Sequence, residues 1–170
     1  MIVLLMGVAA SGKTTIGHAL AQELGWEFIE GDRFHPPENI AKMTRGIALT
    51  DNDRWPWLDR IVAQLRVRAR QGRDAVLACS ALKQAYRDRL AQISQGARGE
   101  TAQLRIVFLK GDAATIEPRL AKRSGHFMPP SLLASQFATL EEPRDALVID
   151  IRQSVAVQVA QIAASLRSTA

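Results

Sequence analysis

Apolar residues along this chain follow two rhythms. Short runs are continuous or nearly so, and between them lie longer stretches in which apolar positions return every three or four residues. Ile2-Val3-Leu4-Leu5-Met6 is unbroken, as expected of a strand buried on both faces. The spacing after it predicts a helix over Lys13–Leu24, stopped by Gly25. Glu27–Glu30 reads as a second strand ending at Gly31-Asp32. Pro36-Pro37 opens a short helix that closes near Gly46. A longer helix is expected from about Pro56 to Gln71, with Asp53 as its N-cap. The third strand is Ala75–Cys79, followed by a helix over Lys83–Ile93. The fourth is Leu104–Leu109, followed by helices over Ala113–Lys122 and Ser131–Leu140. Ala146–Ile149 is the fifth, and Val155–Leu166 the closing helix.

Strands separated by helices imply right-handed crossovers. The expected fold class is therefore α/β: one domain over residues 1–170, with a five-stranded parallel sheet covered by helices on both faces. Ligands of such sheets bind beyond the carboxyl ends of the strands. The segments that follow each strand are where chemistry is to be sought.

The first such segment carries the strongest signal. Gly7-Val8-Ala9-Ala10-Ser11-Gly12-Lys13-Thr14 fits G-x-x-x-x-G-K-[ST] between a buried strand and an amphipathic helix. Its glycines allow a tight backbone that turns successive N–H groups around phosphate oxygens, and the helix N-terminus adds partial positive charge. Lys13 offers a point charge to β- and γ-phosphates, and the Thr14 hydroxyl is a ligand for Mg²⁺. Ala9, Ala10, Ser11, Gly12 and Thr15 are expected against the nucleotide with Gly7, Lys13 and Thr14. Motor ATPases carry an acidic pair at the end of a strand, whereas the third strand here ends in Cys79-Ser80. The base-reading Asn-Lys-x-Asp of switch GTPases is missing too. Small-metabolite kinases fit best.

Asp32, beside the loop at the end of the second strand, is placed to take the proton of an acceptor hydroxyl; its other reading is a helix cap. His35 is either a polyol contact or a structural histidine. Arg54 is suited to fork onto an acceptor carboxylate or phosphate, and Trp55 and Trp57 to line a core or pocket wall. Ser80 either caps the helix after it or faces the metal and acceptor, with Lys83 close behind. Arg119 and Arg123, four apart on one helical face, precede Gly125-His126-Phe127-Met128-Pro129-Pro130. Residues 119–131 thus read as a small lid whose arginines stabilise the transferring phosphoryl group and exclude water; the other reading of the two arginines is a solvated helix face.

Composition narrows this little further. A net charge of +5 raises the question of nucleic acid, but the densest cluster, Arg66, Arg68, Arg70 and Arg73, has no interleaved aromatics and falls at a helix C-terminus. No nucleic-acid partner is expected. The lone Cys79 sits in an apolar run and reads as a buried thiol, in keeping with a reducing compartment. No apolar run is long enough for a membrane, and Ile2–Val8 is too short for a signal-peptide core, so no membrane partner is expected.

Taken together these segments resemble the gluconokinases, small P-loop kinases. The particular stretches are Gly31-Asp32-Arg33-Phe34-His35-Pro36, Asp53-Arg54-Trp55-Pro56-Trp57-Leu58, Cys79-Ser80-Ala81-Leu82-Lys83 with Tyr86-Arg87-Asp88, and Gly125-His126-Phe127 through Ser135-Gln136-Phe137 to Leu140-Glu141-Glu142-Pro143. The resemblance covers nearly the whole chain. It implies a P-loop NTPase fold of the nucleoside-monophosphate-kinase type, ATP with Mg²⁺, D-gluconate as acceptor, a cytoplasmic setting and a homodimer. It further implies that Asp32, His35, Arg54, Ser80, Lys83 and His126 face gluconate. Lys13, Arg119 and Arg123 would serve transfer, and Arg119 and Arg152 the nucleotide. The chain departs from the family at Ala9-Ala10, where Ser-Gly is common, and at Ser154, where proline often follows Gln153. Two alternatives stay open: a shikimate-type kinase, whose Gly-Gly-Gly turn is replaced here by Cys79-Ser80-Ala81, and a nucleotide-binding module acting on RNA through the basic surface.

Overall fold

The first strand, β1 (Ile2–Met6), is buried at every residue and organises the rest. Val3 and Leu5 point to one apolar layer and Ile2, Leu4 and Met6 to the other, as the two-residue period of a strand requires. The computed structural model describes residues 1–94, 103–122 and 132–168. After β1 come α1 (Lys13–Leu24), β2 (Glu27–Glu30), a 3-10 turn (Gly31–Phe34), α2 (Pro37–Thr44), α3 (Asp51–Arg70) and β3 (Ala75–Ala78). They are followed by α4 (Gln84–Ala91), β4 (Leu104–Lys110), α5 (Ala113–Ala121), α6 (Leu132–Thr139), β5 (Leu147–Asp150) and α7 (Val155–Arg167).

The strands form one parallel sheet in the order β2-β3-β1-β4-β5. The expected α/β class is therefore observed, with one correction to the layout. β3, not β2, pairs with β1, so Asp32 does not lie on the strand next to the phosphate loop. On one face α1, α5 and α7 pack through Ile16, Leu20, Ile116, Val159 and Ile162. On the other, α3 and α4 pack through Trp57, Leu58, Ile61, Leu65, Tyr86 and Leu90. Trp57 is fully buried. Truncating a buried ring of this kind typically costs about 3–5 kcal/mol.

Helix boundaries differ from expectation at two places. α3 begins at Asp51 rather than Pro56, because Thr50 and Asp53 form a reciprocal capping box. The Thr50 hydroxyl accepts from Asp53 N at 3.3 Å, and Asp53 Oδ2 accepts from Thr50 N at 2.9 Å. Asp53 is thus the third residue of the helix rather than its cap, and Pro56 sits inside it. α4 begins at Gln84, so Ser80 does not cap it. That role falls to Glu141, whose Oε2 accepts from Gln84 N at 2.6 Å. Among the described residues, no helix is long and apolar enough to cross a membrane.

Candidate active site

The phosphate loop is built by backbone geometry that side chains resist. Gly7 has φ 146° and Gly12 φ 101°, both in the left-handed half of the map. A Cβ at Gly7 would meet the Leu109 carbonyl at 2.8 Å and Ser11 Oγ at 2.9 Å, so only glycine fits against β4. Ala10, where the resembled family often has glycine, takes φ 60° with a side chain in place, a strained conformation of the kind that collects at functional sites. Gly12 stands at the N-cap position of α1, so the first turn directs its N–H groups into the loop. Lys13 Nζ donates to the loop's own carbonyls, Gly7 O at 3.0 Å and Val8 O at 2.9 Å. The cation is thereby held over the cradle.

Thr14 Oγ1 donates to Glu30 Oε2 at 2.8 Å, across from the last residue of β2. Burial raises the Glu30 carboxyl above its ordinary value, and the Thr14 donor and Lys13 oppose that rise. A hydroxyl and a carboxylate beside a phosphate cradle are hard oxygen donors of the type Mg²⁺ takes. On that chemistry the site fits ATP with Mg²⁺.

One cleft gathers most of the residues singled out from sequence. Ala9, Ala10, Gly12, Lys13, Thr14, Asp32, His35, Arg54 and Ser80 all line it, despite the intervening β3. Asp32 is carried on the 3-10 turn after β2, and its Oδ1 lies 3.9 Å from His35 Nε2. Asn39 Nδ2 approaches His35 Nδ1 at 3.3 Å. An amide nitrogen can only donate, so Nδ1 accepts and the ring hydrogen sits on Nε2, toward Asp32. Burial drives the His35 pKa down to about 4, with Asp32 opposing and Arg54 assisting. The imidazole is neutral at physiological pH.

Arg54 reaches into this cleft and into a side pocket shared with Asp51, Lys83, Tyr86, Ser135 and Gln136. Its guanidinium lies 5.5 Å from the centre of the Tyr86 ring and has no hydrogen-bond acceptor among the described residues. Lys83 does not line the main cleft. It is held in the side pocket by both oxygens of Asp51, each at 2.8 Å, and Asp51 Oδ1 also accepts from the Tyr86 hydroxyl at 2.6 Å.

Other expected residues lie elsewhere. Arg119 donates to the Ile151 carbonyl at 2.7 Å, which ties α5 to the segment after β5 that also carries Arg152. Arg152 is paired with Asp150, and neither arginine lines the cleft. Ser154 caps α7, its hydroxyl accepting from Val157 N, which gives a serine its reason at that position. Thr15 is exposed. Arg123, His126 and the remaining residues of 123–131 lie outside the described residues.

Sequence reasoning passed over Glu30 and assigned no role to Gln136. Gln136 Oε1 accepts from Ala9 N at 2.6 Å, joining α6 to the phosphate loop. Glu30 had a signal, being polar at the carboxyl end of a strand. Gln136 stands 127 residues from its partner, and nothing local reveals that contact.

A family model described as an AAA domain, AAA_33, matches residues 2–143. The chain is 48% identical to the gluconokinase of Gluconobacter oxydans over 141 residues, 83% of this chain and 75% of that protein. The chain belongs to this domain family and to the gluconokinases. Among solved structures, a gluconokinase from Sinorhizobium meliloti aligns with a TM-score of 0.80 at 43% identity, over 99% of this chain and 96% of that one. A sugar kinase from Janibacter aligns with a TM-score of 0.87 at 47% identity, over 98% of this chain and 94% of that one. As a member of the gluconokinases the chain is a kinase, a nucleotide-binding phosphotransferase.

Proposed function

We propose that this chain transfers the γ-phosphoryl group of ATP to the 6-hydroxyl of D-gluconate, giving 6-phospho-D-gluconate. One observation carries the reading. A single cleft holds the phosphate loop, the Asp32 carboxylate and an Arg54 guanidinium that has no acceptor among the described residues. A linear sugar acid has an alcohol at one end and a carboxylate at the other, which matches a general base near the phosphates and a fork-shaped cation beyond it. Arg54 takes the acceptor carboxylate, and Lys83 lies beside it in the side pocket. Neutral His35 offers its Nε2 hydrogen to the polyol or to Asp32, and Ser80 lines the same wall. Asp32 orients the terminal hydroxyl in line and accepts its proton at a carboxylate oxygen.

On the donor side, Lys13 leaves the loop carbonyls to neutralise charge on the transferring group, and the loop N–H groups hold the β-phosphate. Thr14 and, behind it, Glu30 would hold Mg²⁺, which would supply positive charge to offset that of the phosphates. Arg119 and Arg123 add positive charge as transfer proceeds, His126 meets the acceptor, and Arg152 borders the adenosine. The reading includes a homodimer, a cytoplasmic setting and a part in gluconate use. Against a nucleic-acid role, Arg68 of the basic cluster is forked onto Glu27 at 2.9 and 2.7 Å, and Arg66 donates to Gln92 O at 3.0 Å. Against a shikimate-type site, the turn after β3 has the side chains of Cys79-Ser80-Ala81.

ADP release with MgATP tests the proposal, against D-gluconate, other sugar acids, shikimate, a nucleoside monophosphate and no acceptor. Release that requires D-gluconate is expected. Release only with another acceptor would replace the substrate, and release independent of acceptor would overturn the reading.

A further inference from the structure

Arg87 is almost wholly buried, 2% exposed, and the chemistry described above makes no use of it. Its guanidinium is spent on the turn between β3 and α4. Nη1 donates to Ala81 O at 2.9 Å and to Leu82 O at 3.0 Å, while Nε and Nη2 both reach Gln84 Oε1, at 3.3 and 2.9 Å. Gln84 passes the contact on, its Nε2 donating to Asp88 Oδ1 at 2.8 Å. Glu141 closes the ring from the tail of α6. Its backbone N–H donates to Leu82 O at 2.9 Å, and its carboxylate accepts from Gln84 N at 2.6 Å.

The turn needs this support. Ala81 has φ 43°, a left-handed conformation that an L side chain resists, and Ala81 and Leu82 are buried where no water can satisfy their carbonyls. A buried charge is tolerated when hydrogen bonds consume it and opposite charges stand near, here Glu141 and Asp88. The turn carries Ser80 into the main cleft and Lys83 into the side pocket. It also touches the phosphate loop, where Gly7 N donates to Ser80 O at 3.4 Å.

We infer that Arg87 is a positioning residue for the acceptor. Its fork onto the Ala81 and Leu82 carbonyls holds the strained turn that sets Ser80 and Lys83 against the sugar acid. The inference rests on the proposed gluconate reading. Arg87 touches no reacting atom, and its turn meets the phosphate loop through the long Gly7–Ser80 contact alone among the hydrogen bonds described, so its loss should weaken acceptor binding far more than nucleotide binding. Lysine keeps the charge but has no planar fork and cannot hold two carbonyls and Gln84 together. Glycine at position 81 adopts φ 43° without strain and should lessen the need for the clamp.

The experiment is steady-state kinetics on Arg87→Lys, Ala81→Gly and the double variant, with melting curves on each. Gluconate-dependent ADP release by the unaltered chain comes first, since its absence would remove the gluconate reading before Arg87 is tested. In Arg87→Lys the KM for gluconate should rise about tenfold, with the KM for ATP within about twofold. In the double variant the gluconate KM should fall back at least threefold. Unchanged KM values with activity lost only in proportion to unfolded protein would overturn the inference. Equal rises in both KM values, or no recovery in the double variant, would also overturn it. Should Arg87→Lys fail to fold, Glu141→Gln removes the neighbouring charge of the same ring. The same split between the two KM values is then required.

Discussion

The imidazole of His35 is stacked on the indole of Trp57, their centroids 4.1 Å apart and their planes 15° from parallel. Trp57 Nε1 in turn donates to Gly31 O at 2.8 Å. One buried ring therefore fixes both the backbone just before Asp32 and the histidine just after it. Asp32 and His35, proposed for the acceptor, inherit their placement from the core of α3.

That stack makes stability depend on pH in a stated direction. An unfolded His35 takes up a proton near pH 6.5, the folded one only near pH 4, because burial disfavours its charged form. Between those values the unfolded state binds more protons, so stability is complete above about 6.5 and falls as pH drops toward 4. The loss should reach roughly 3 kcal/mol at the bottom of the window, taking about 1.36 kcal/mol per pH unit. Melting curves of the unaltered chain and His35→Gln across that range should show the slope flattened in the variant. A parallel pair of curves would remove His35 as the source.

Loss of Lys13 or Asp32 should separate chemistry from folding. Lys13→Ala should lower kcat by at least about a hundredfold, the scale for removing one preorganised donor from a developing charge. Asp32→Asn should lower kcat by about a hundredfold or more while the KM for ATP stays within a few-fold. Both proteins should melt close to the unaltered chain, since each side chain is polar and neither is core. Near-normal turnover in either variant would remove that residue from the mechanism.

Arg54→Ala should act on the acceptor alone. A charge-assisted hydrogen bond is worth about 1.5–3 kcal/mol, so the gluconate KM should rise roughly ten- to a hundredfold. Competition by simple monocarboxylates, measured as inhibition against gluconate, should weaken in step. A change confined to the KM for ATP would place Arg54 on the nucleotide instead.

The capping box predicts a purely structural effect beside these. Thr50→Ala removes the side-chain acceptor for Asp53 N and should cost about 1 kcal/mol, read by denaturant unfolding. Asp53→Ala should cost more, because Asp53 also pairs with Lys42 at 2.7 Å. Equal losses in the two variants would argue against that added contribution.

The phosphate loop and the strands were legible because each is a local device, a continuous apolar run or a glycine with a single steric purpose. That Asp32, Arg54 and Ser80 line one cleft was foreseeable because they follow strand ends or lie at the start of a helix. The start of α3 was missed because Pro56 was read as a first helical residue. A proline six residues in forfeits only one N–H, toward the exposed Asn52 carbonyl, and the Thr50–Asp53 box outweighs that. The order of strands was not legible, since nothing in the spacing says that β3 inserts between β1 and β2. Glu30 and Gln136 act through partners that only the assembled sheet brings near, whereas the partners of Arg87 lie three to six residues before it and come within reach only through the left-handed turn at Ala81. Cys79 was correctly read as a buried thiol, and burial pushes its pKa up to about 12.

The insertion of β3 between the first two strands divides the sheet by task. Lys13 and Thr14, proposed for the phosphates, follow β1, while Asp32, His35, Arg54 and Ser80, proposed for the acceptor, follow β2 and β3 on one flank. Each half has its own anchorage, Gly7 against Leu109 on one side and Trp57 beneath Gly31 on the other. Such a scaffold is modular: mutation can retune which alcohol is presented without disturbing the machinery that delivers phosphate.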